Sequence, residues 1–327
     1  MNNKRDPMTA YDFIGDIHGQ HEKLISLLRK MGYQDINGAW RHQSRKAFFV
    51  GDFIDRGPGQ LATLHIVRNM IEAGSAEAVM GNHEFNAIAW ATQDPQNPGH
   101  HLRKRTDKNR WQHVRFLEET GDDTPLHKSW IEWFYTLPLW VEKETFRAVH
   151  ACWHPEHIAV LSPLMGPNNT LTPALVEAAS RYGSQEFESL EVLCKGLEID
   201  LPHPITYTDK EGVIRTKTRT KWWNKDAITY RTAAMINKGM ASQLPETEIP
   251  ENLRLSYDDQ KPLFFGHYWF TGTPGVLSEK VCCVDFSAAI GDFPLVAYRF
   301  DGEETLSNEK LMTSSPEIIL SSSPRMR

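Results

Sequence analysis

The chain has 327 residues, with 36 Lys and Arg against 42 Asp and Glu and a formal net charge of −6. That length admits one large domain or two ordinary ones with a substantial core, and the mild acidity argues against binding nucleic acid through bulk positive charge. The start "MNNKRDPMTAYDF" lacks the apolar segment of a secretory signal, no stretch is apolar enough to cross a membrane, and four scattered cysteines (Cys152, Cys194, Cys282, Cys283) suit neither a disulfide framework nor a thiolate zinc site, so a cytoplasmic protein with no membrane partner is expected.

In chain order, the first 85 residues alternate between strand and helix. "YDFIGD" (11–16) is a short apolar run stopped by Gly-Asp, and "HEKLISLLRKMG" (21–32) places Leu24, Leu27, Leu28 and Met31 at helical spacing before Gly32. "AFFVGD" (47–52) reads as the second strand, "QLATLHIVRNMIEAG" (60–74) as the second helix and "AEAVMGN" (76–82) as the third strand. This order predicts one mainly parallel sheet with covering helices.

Residues 86–140 are less regular. A basic stretch containing "HHLRKR" (100–105) is expected as a solvated loop, with contact to substrate as the lesser alternative, and "SWIEWFYTLPLW" as a helical cap on the sheet. "FRAVHAC" (146–152) returns to strand character, and residues 155–260 are long, mixed and rich in Pro. Apolar runs resume with "PLFFGHYW" (262–269), "KVCCVDFS" (280–287) and "PLVAYRF" (294–300). No clean linker interrupts the chain. The expected organisation is one catalytic domain over 8–305, with insertions at about 86–140 and 155–260, and a 306–327 tail ending in disorder.

The chemistry sits at the strand ends. Asp16, Ile17 and His18 follow the first strand; Asp52, then Asp55, Arg56 and Gly57, follow the second; Asn82, His83 and Glu84 follow the third; His150 and His267 close later ones. Ligands of open α/β sheets bind beyond the carboxyl ends of the strands, so carboxylates, an amide and imidazoles converge on one edge. That mixed donor set suits Mn²⁺, Fe²⁺ or Zn²⁺, whereas an all-oxygen cage for Mg²⁺ or Ca²⁺ would not need the imidazoles. Asp16 and His18, two apart, face the same side of extended backbone. Asp52 carries two oxygens and can bridge two ions about 3.5–4 Å apart. Singly, each residue has a bland reading as turn former, helix cap or packed histidine; in this order, each beside glycine, the bland readings become implausible together.

GDIHG, GDFIDRG, GNHE, a later strand-end His and a final GH resemble the calcineurin-like metallophosphoesterases. More narrowly they resemble the bacterial branch of the phosphoprotein-phosphatase (PPP) superfamily, with likeness to PrpE-type and diadenosine tetraphosphatase-like enzymes. The resemblance implies a four-layered α/β/β/α sandwich of two packed mixed sheets in place of a single sheet. It implies two divalent ions, Mn²⁺ first and iron or Zn²⁺ as alternatives, the first held by Asp16, His18 and Asp52 and the second by Asp52, Asn82, His150 and His267. It makes His83 the general acid, Asp55 its orienting partner and Arg56 a phosphate ligand, with a metal-bridging water or hydroxide as nucleophile. The chemistry agrees: two cations acidify a shared water, a histidine paired with a carboxylate can supply the leaving group's proton, and a guanidinium fork matches phosphoryl oxygens.

The chain also departs from the pattern. The eukaryotic phosphatases carry Gly-Gly after the fourth-motif His, whereas this sequence runs from His150 through Ala151, Cys152 and Trp153 to His154, leaving His154 as an alternative ligand. The second phosphate arginine has no secure counterpart. Candidates lie in "RTKTRTKWW" (215–223), where Arg215, Lys217, Arg219 and Lys221 alternate; they would clamp phosphates while Trp222 and Trp223 stack a nucleobase, or the run is simply a solvated edge strand. Two substrate readings follow. One is a phosphatase acting on phosphate monoesters, phosphoproteins included. The other is a dinucleoside polyphosphate hydrolase. Symmetrical tetraphosphate hydrolases of this family tend to lack the acid before Arg-Gly and to end the third motif in Asp, so Asp55 and Glu84 tilt the balance toward monoesters. A phosphorylated small molecule, a nucleotide or a phosphoprotein is the expected partner; the net charge disfavours a nucleic-acid end, and a non-catalytic scaffold would need missing ligands.

Overall fold

The computed structural model describes residues 10–208 and 212–314. Its core is two sheets packed face to face. The first has five strands: β1 (Ala10–Ile14), β2 (Arg45–Phe49) and β3 (Ala76–Ala78) run parallel, with β8 (Val296–Phe300) antiparallel to β1 and β9 (Leu311–Thr313) antiparallel to β8. The second has four, in the order β7-β6-β5-β4: β4 (Trp140–Glu142) is antiparallel to β5 (Arg147–Val149), while β6 (Leu263–Phe265) runs parallel to both β5 and β7 (Val281–Cys283).

Period-two alternation explains the layers. Tyr11, Phe13, Phe48, Tyr298 and Phe300 point from the first sheet onto Phe146, Ala148, Phe264 and Cys282 of the second, and the Phe13 and Phe264 rings stack with centroids 3.6 Å apart. Burial of each such side chain contributes about 1.5–3 kcal/mol. The opposite face of the first sheet, Ile14, Ala47, Phe49 and Ala78, receives Leu24, Leu27 and Leu28 of helix α1 (His21–Lys30) and Leu64, Val67 and Met70 of α2 (Gln60–Glu72). The molecule is thus an α/β fold of two mixed sheets flanked by helices, the architecture that the resemblance implies. Local strand–helix alternation suggested a single parallel sheet because the second sheet pairs β5 with β6, segments more than a hundred residues apart, which no local pattern reveals.

Helices α3 (Asn82–Ala91) and α4 (Asp107–Thr120) occupy the region expected to be irregular, and α5 (Pro125–Phe134) overlaps the start of the helical segment expected at "SWIEWFYTLPLW" (129–140). Asn82 therefore opens a helix and does not end a strand. Glu119 of α4 accepts from the first backbone N–H groups of α2, at Gln60 and Leu61, over 2.8 and 2.9 Å, which fastens this layer to the second strand's loop. In the long insertion, helix α6 (Gln185–Lys195) covers the second sheet, and Glu198–Asp200 pairs with Lys217–Arg219 in a short ribbon. Trp222 and Trp223 are buried against Phe265 and Tyr268, so they pack the core and stack no base. Sheet structure continues to Thr313, beyond the 305 boundary; the tail's final residues, 315–327, lie outside the described residues. No helix among the described residues is long and apolar enough to cross a membrane.

Candidate metal centre

The loops after β1 and β2 are laced together by backbone. The Ile17 and His18 N–H groups donate to the Asp52 carbonyl (3.1 and 2.9 Å), Gly19 to Phe53, and Gly57 back to the His18 carbonyl. This lacing holds His18, Asp52, Asp55 and Arg56 at φ of 46°, 53°, 69° and 66°, and His267 and Trp269 are likewise left-handed. Such strained residues persist where surrounding structure over-determines them, and they cluster at functional sites. Close approach also needs glycine: a Cβ on Gly81 would lie 2.1 Å from Asp52 Oδ1, and one on Gly266 would lie 2.0 Å from Asp16 Oδ1.

Asp52 is the centre of the site. Its Oδ2 lies 3.3 Å from His150 Nε2, 3.6 Å from His18 Nε2 and 3.9 Å from His83 Nε2, and its Oδ1 accepts from the His83 backbone N–H at the start of α3 (3.0 Å). Two ligand clusters share it, His18–Asp52–His83 and Asp52–His150–His267, each with its donor atoms within 4.8 Å of one another. His18 Nδ1 bonds the Ile54 carbonyl (2.8 Å) and His150 Nδ1 the Val50 carbonyl (2.7 Å). Each bond puts a proton on Nδ1 and turns Nε2 inward, the orientation a metal ligand requires. Asn82 Oδ1 lies 3.3 Å from His150 Nε2, and Asp16 accepts from the His267 backbone N–H through Oδ2 while its buried Oδ1 has no partner.

The electrostatics suit divalent cations. Burial opposes ionisation of Asp52, yet the imidazoles of His150, His83 and His18 hold it well below the usual carboxylate range. Burial pushes His18 down to about 3 and His267 well below its ordinary value, so both are neutral donors. Asp16 is pushed up by burial and by the carboxylates of Asp285 and Asp52. Buried, unpartnered Asp16 Oδ1, His18 Nε2 and both His267 nitrogens have no protein group to satisfy them. These buried His and Asp clusters are consistent with a dinuclear metal site. His154 is not part of it: its ring packs on His157, 4.4 Å away, and burial pushes it down to about 4.

Beside the metal cluster, His83 Nδ1 lies 2.5 Å from Asp55 Oδ2, and Asp55 Oδ1 lies 2.9 Å from Nδ1 of His113 on α4. These two imidazoles overcome the effect of burial and hold Asp55 well below its usual range. Gln60 accepts from the Asp55 N–H over 2.6 Å. Arg56 lays its guanidinium on the Trp269 indole, 4.2 Å from the ring centroid. The sequence reading missed His113, Gln60 and Trp269, and it singled out no residue of "HHLRKR", for which contact with substrate was the lesser alternative; Arg103 of that stretch lines the cleft.

Glu84 has a different function from the one its sequence position suggested. It is fully buried, and its carboxylate accepts from the backbone N–H groups of Phe53 (2.8 Å), Asp52 (2.9 Å) and Gly81 (3.0 Å). It clamps the second and third loops together and touches no cleft. Glu84→Gln turns an amide NH₂ toward at least one of those donors, at a cost of about 1–3 kcal/mol. A fall in melting temperature of about 1.5–5 °C is expected by calorimetry; an unchanged melting temperature would contradict the clamp.

Two cavities with a shared wall lie at the site. The smaller, about 310 Å³, is lined by Asp52, Asn82, His83 and His267 together with Asn86, Arg103, Gln112 and Lys195. The larger, about 800 Å³, is walled by the Lys217–Arg219 ribbon, Tyr207, Ile236 and Tyr268. Arg56, Arg215, Arg219 and Trp269 line both. Lys217 stands on the larger cavity with Asp200 3.2 Å away, whereas the Lys221 ammonium donates to the Thr232 carbonyl outside either cavity, removing it from the predicted clamp.

Comparison with known proteins agrees with this geometry. The model of the calcineurin-like phosphoesterase family matches residues 11–201. An asymmetrical bis(5'-nucleosyl)-tetraphosphatase PrpE of Oceanobacillus iheyensis is 31% identical over 45% of this chain and 57% of its own length. The PrpE of Bacillus subtilis is 40% identical over 40% of this chain and 52% of its own, so the chain spans about half the length of these relatives. A symmetrical bis(5'-nucleosyl)-tetraphosphatase of Vibrio cholerae is 26% identical over 85% of this chain and 90% of its own. Among solved structures, a protein serine/threonine phosphatase from Saccharomyces cerevisiae covers 98% of this chain and 84% of its own at 14% identity, with a TM-score of 0.49. With the family model spanning more than half of its residues and two buried His/Asp clusters at the strand ends, the chain belongs to the calcineurin-like phosphoesterases.

Proposed function

We propose that the protein hydrolyses dinucleoside polyphosphates. The observation that carries this reading is the set of Arg56, Arg215 and Arg219 shared by the metal cleft and a cavity large enough for a nucleoside. One phosphoryl group is served by two metals and two guanidiniums; a third arginine, on a wall that continues into the larger cavity, suits a longer chain of phosphates. The tetraphosphatase names of the sequence relatives point the same way. The two residues that favoured monoesters lose their weight here, because Glu84 clamps backbone and both Asp55 oxygens are committed to histidines.

In this reading Asp16, His18 and Asp52 hold one divalent ion, and Asp52, Asn82, His150 and His267 hold the other, with Mn²⁺ the first choice for such donors. Bound cations would acidify water and neutralise phosphoryl charge. His83, oriented by Asp55, protonates the leaving oxygen; Arg56, fixed on Trp269, grips the phosphoryl group; and Arg219 and Lys217 face the chain beyond it. Four buried unpaired cysteines suit a reducing, cytoplasmic setting.

The test is a parallel assay of Mn²⁺-reconstituted protein on diadenosine tetraphosphate and p-nitrophenyl phosphate, with products separated by chromatography. A kcat/KM at least tenfold higher for the tetraphosphate is expected. Strong monoester turnover with negligible tetraphosphate cleavage would overturn the reading and restore the phosphatase alternative.

A further inference from the structure

Arg103 is an arginine held entirely by neutral groups. Its guanidinium donates to Asn86 Oδ1 (2.5 Å), Gln112 Oε1 (3.0 Å) and Asn109 Oδ1 (3.3 Å), and among the described residues no carboxylate forms an ion pair with it. A half-buried arginine ordinarily meets Asp or Glu, because an uncompensated charge away from water is costly. Here amide oxygens fix its orientation and leave its charge unspent. Asp55, the acid whose field reaches it first, is already bonded to His83 and His113.

The position of that charge is specific. Asn86 stands one helical turn after His83 on α3, and Gln112 precedes His113 on α4, so Arg103 adjoins the flank of the cleft that carries the proton-donating histidine. It lines the metal cavity but not the larger one, whereas Arg56, Arg215 and Arg219 line both. Arg103 thus belongs to the metal cavity alone, apart from the three arginines whose wall continues into the larger cavity.

We infer that Arg103, presented by Asn86, Gln112 and Asn109, is a binding site for a phosphate of the leaving group. The inference rests on the polyphosphate reading and deepens it. A monoester releases an alcohol, which has no charge for Arg103 to meet. A polyphosphate releases a nucleotide, whose anionic phosphate stays beside His83 after cleavage. Arg103 is thus a residue that selects polyphosphate over monoester, and the stretch "HHLRKR" supplies it.

The experiment measures inhibition of p-nitrophenyl phosphate hydrolysis by inorganic tripolyphosphate and by orthophosphate, with calorimetric titration of both anions as a second readout. The proteins are wild type, Arg103→Gln, Arg103→Lys and Gln112→Glu. The last keeps Arg103 in place and cancels its charge with a new carboxylate. Arg103→Gln and Gln112→Glu should each raise the inhibition constant of tripolyphosphate at least tenfold and that of orthophosphate less than threefold, with Arg103→Lys recovering part of the loss. Equal losses for both anions, or no loss in either variant, would overturn the site. The assay needs only monoesterase turnover, so the two readings fail separately. A wild type that leaves diadenosine tetraphosphate intact but shows this Arg103 dependence would sink the substrate and keep the anion site.

Discussion

Asp52→Asn is expected to lower kcat by about a thousandfold or more, equivalent to about 4 kcal/mol of transition-state stabilisation, while leaving a folded protein. Asp52 is the one side chain common to both ligand clusters, so its loss weakens both at once. The fold should survive for a local reason. An amide oxygen can still accept from the His83 backbone N–H, as Asp52 Oδ1 does, and Glu84 continues to hold the Asp52 and Phe53 N–H groups. Metal content by elemental analysis and melting curves with and without Mn²⁺ separate this outcome from simple unfolding. In wild type, an ion at a hundred times its dissociation constant adds about 2.7 kcal/mol of stability; the variant should show little of that gain. Full metal occupancy in Asp52→Asn, with turnover within tenfold of wild type, would remove Asp52 from the bridging position.

Legibility of the site followed the range of its interactions. Asp16, His18, Asp52 and Asn82 were readable because each sits a fixed few residues beyond an apolar run, beside a glycine, and His83 because it directly follows Asn82. Choosing His150 over His154 needed tertiary structure: His150 is tied to Val50, a hundred residues earlier, while His154 turns away onto His157. His113 could not be found by pattern. It lies 58 residues from Asp55 on an amphipathic helix, where a buried histidine looks like any packed one. The pair Trp222 and Trp223 failed in the opposite direction, since aromatics next to cations read alike whether they stack a base or fill a core. Arg103 was hidden because only its partners, not its neighbours in sequence, distinguish it from the exposed Lys104 and Arg105 side chains around it.

The second large effect concerns the line from His83 through Asp55 to His113. His83→Ala should lower kcat by about 10²–10⁴-fold, and the loss should depend on the leaving group. With aryl phosphates, p-nitrophenolate departs readily without a proton, whereas phenol, with a pKa of about 10 like that of tyrosine, needs one. The rate ratio of wild type to variant should therefore widen steadily as the leaving group becomes more basic. Asp55→Asn should behave similarly, because an amide in place of the carboxylate cannot accept from both imidazoles. His113 acts one step further back, as a positioning residue: its Nδ1–H fixes one Asp55 oxygen so that the other faces His83. His113→Phe removes that donor and should reproduce the leaving-group dependence in weaker form, with KM little changed. His113→Asn places an amide N–H near the position of Nδ1 and should restore most of the rate, which a general packing defect would not. If His83→Ala slows all aryl phosphates equally, His83 is not the proton donor. If His83→Ala shows the dependence but His113→Phe does not, Asp55 is held well enough by Gln60 alone, whose side chain already receives the Asp55 backbone N–H.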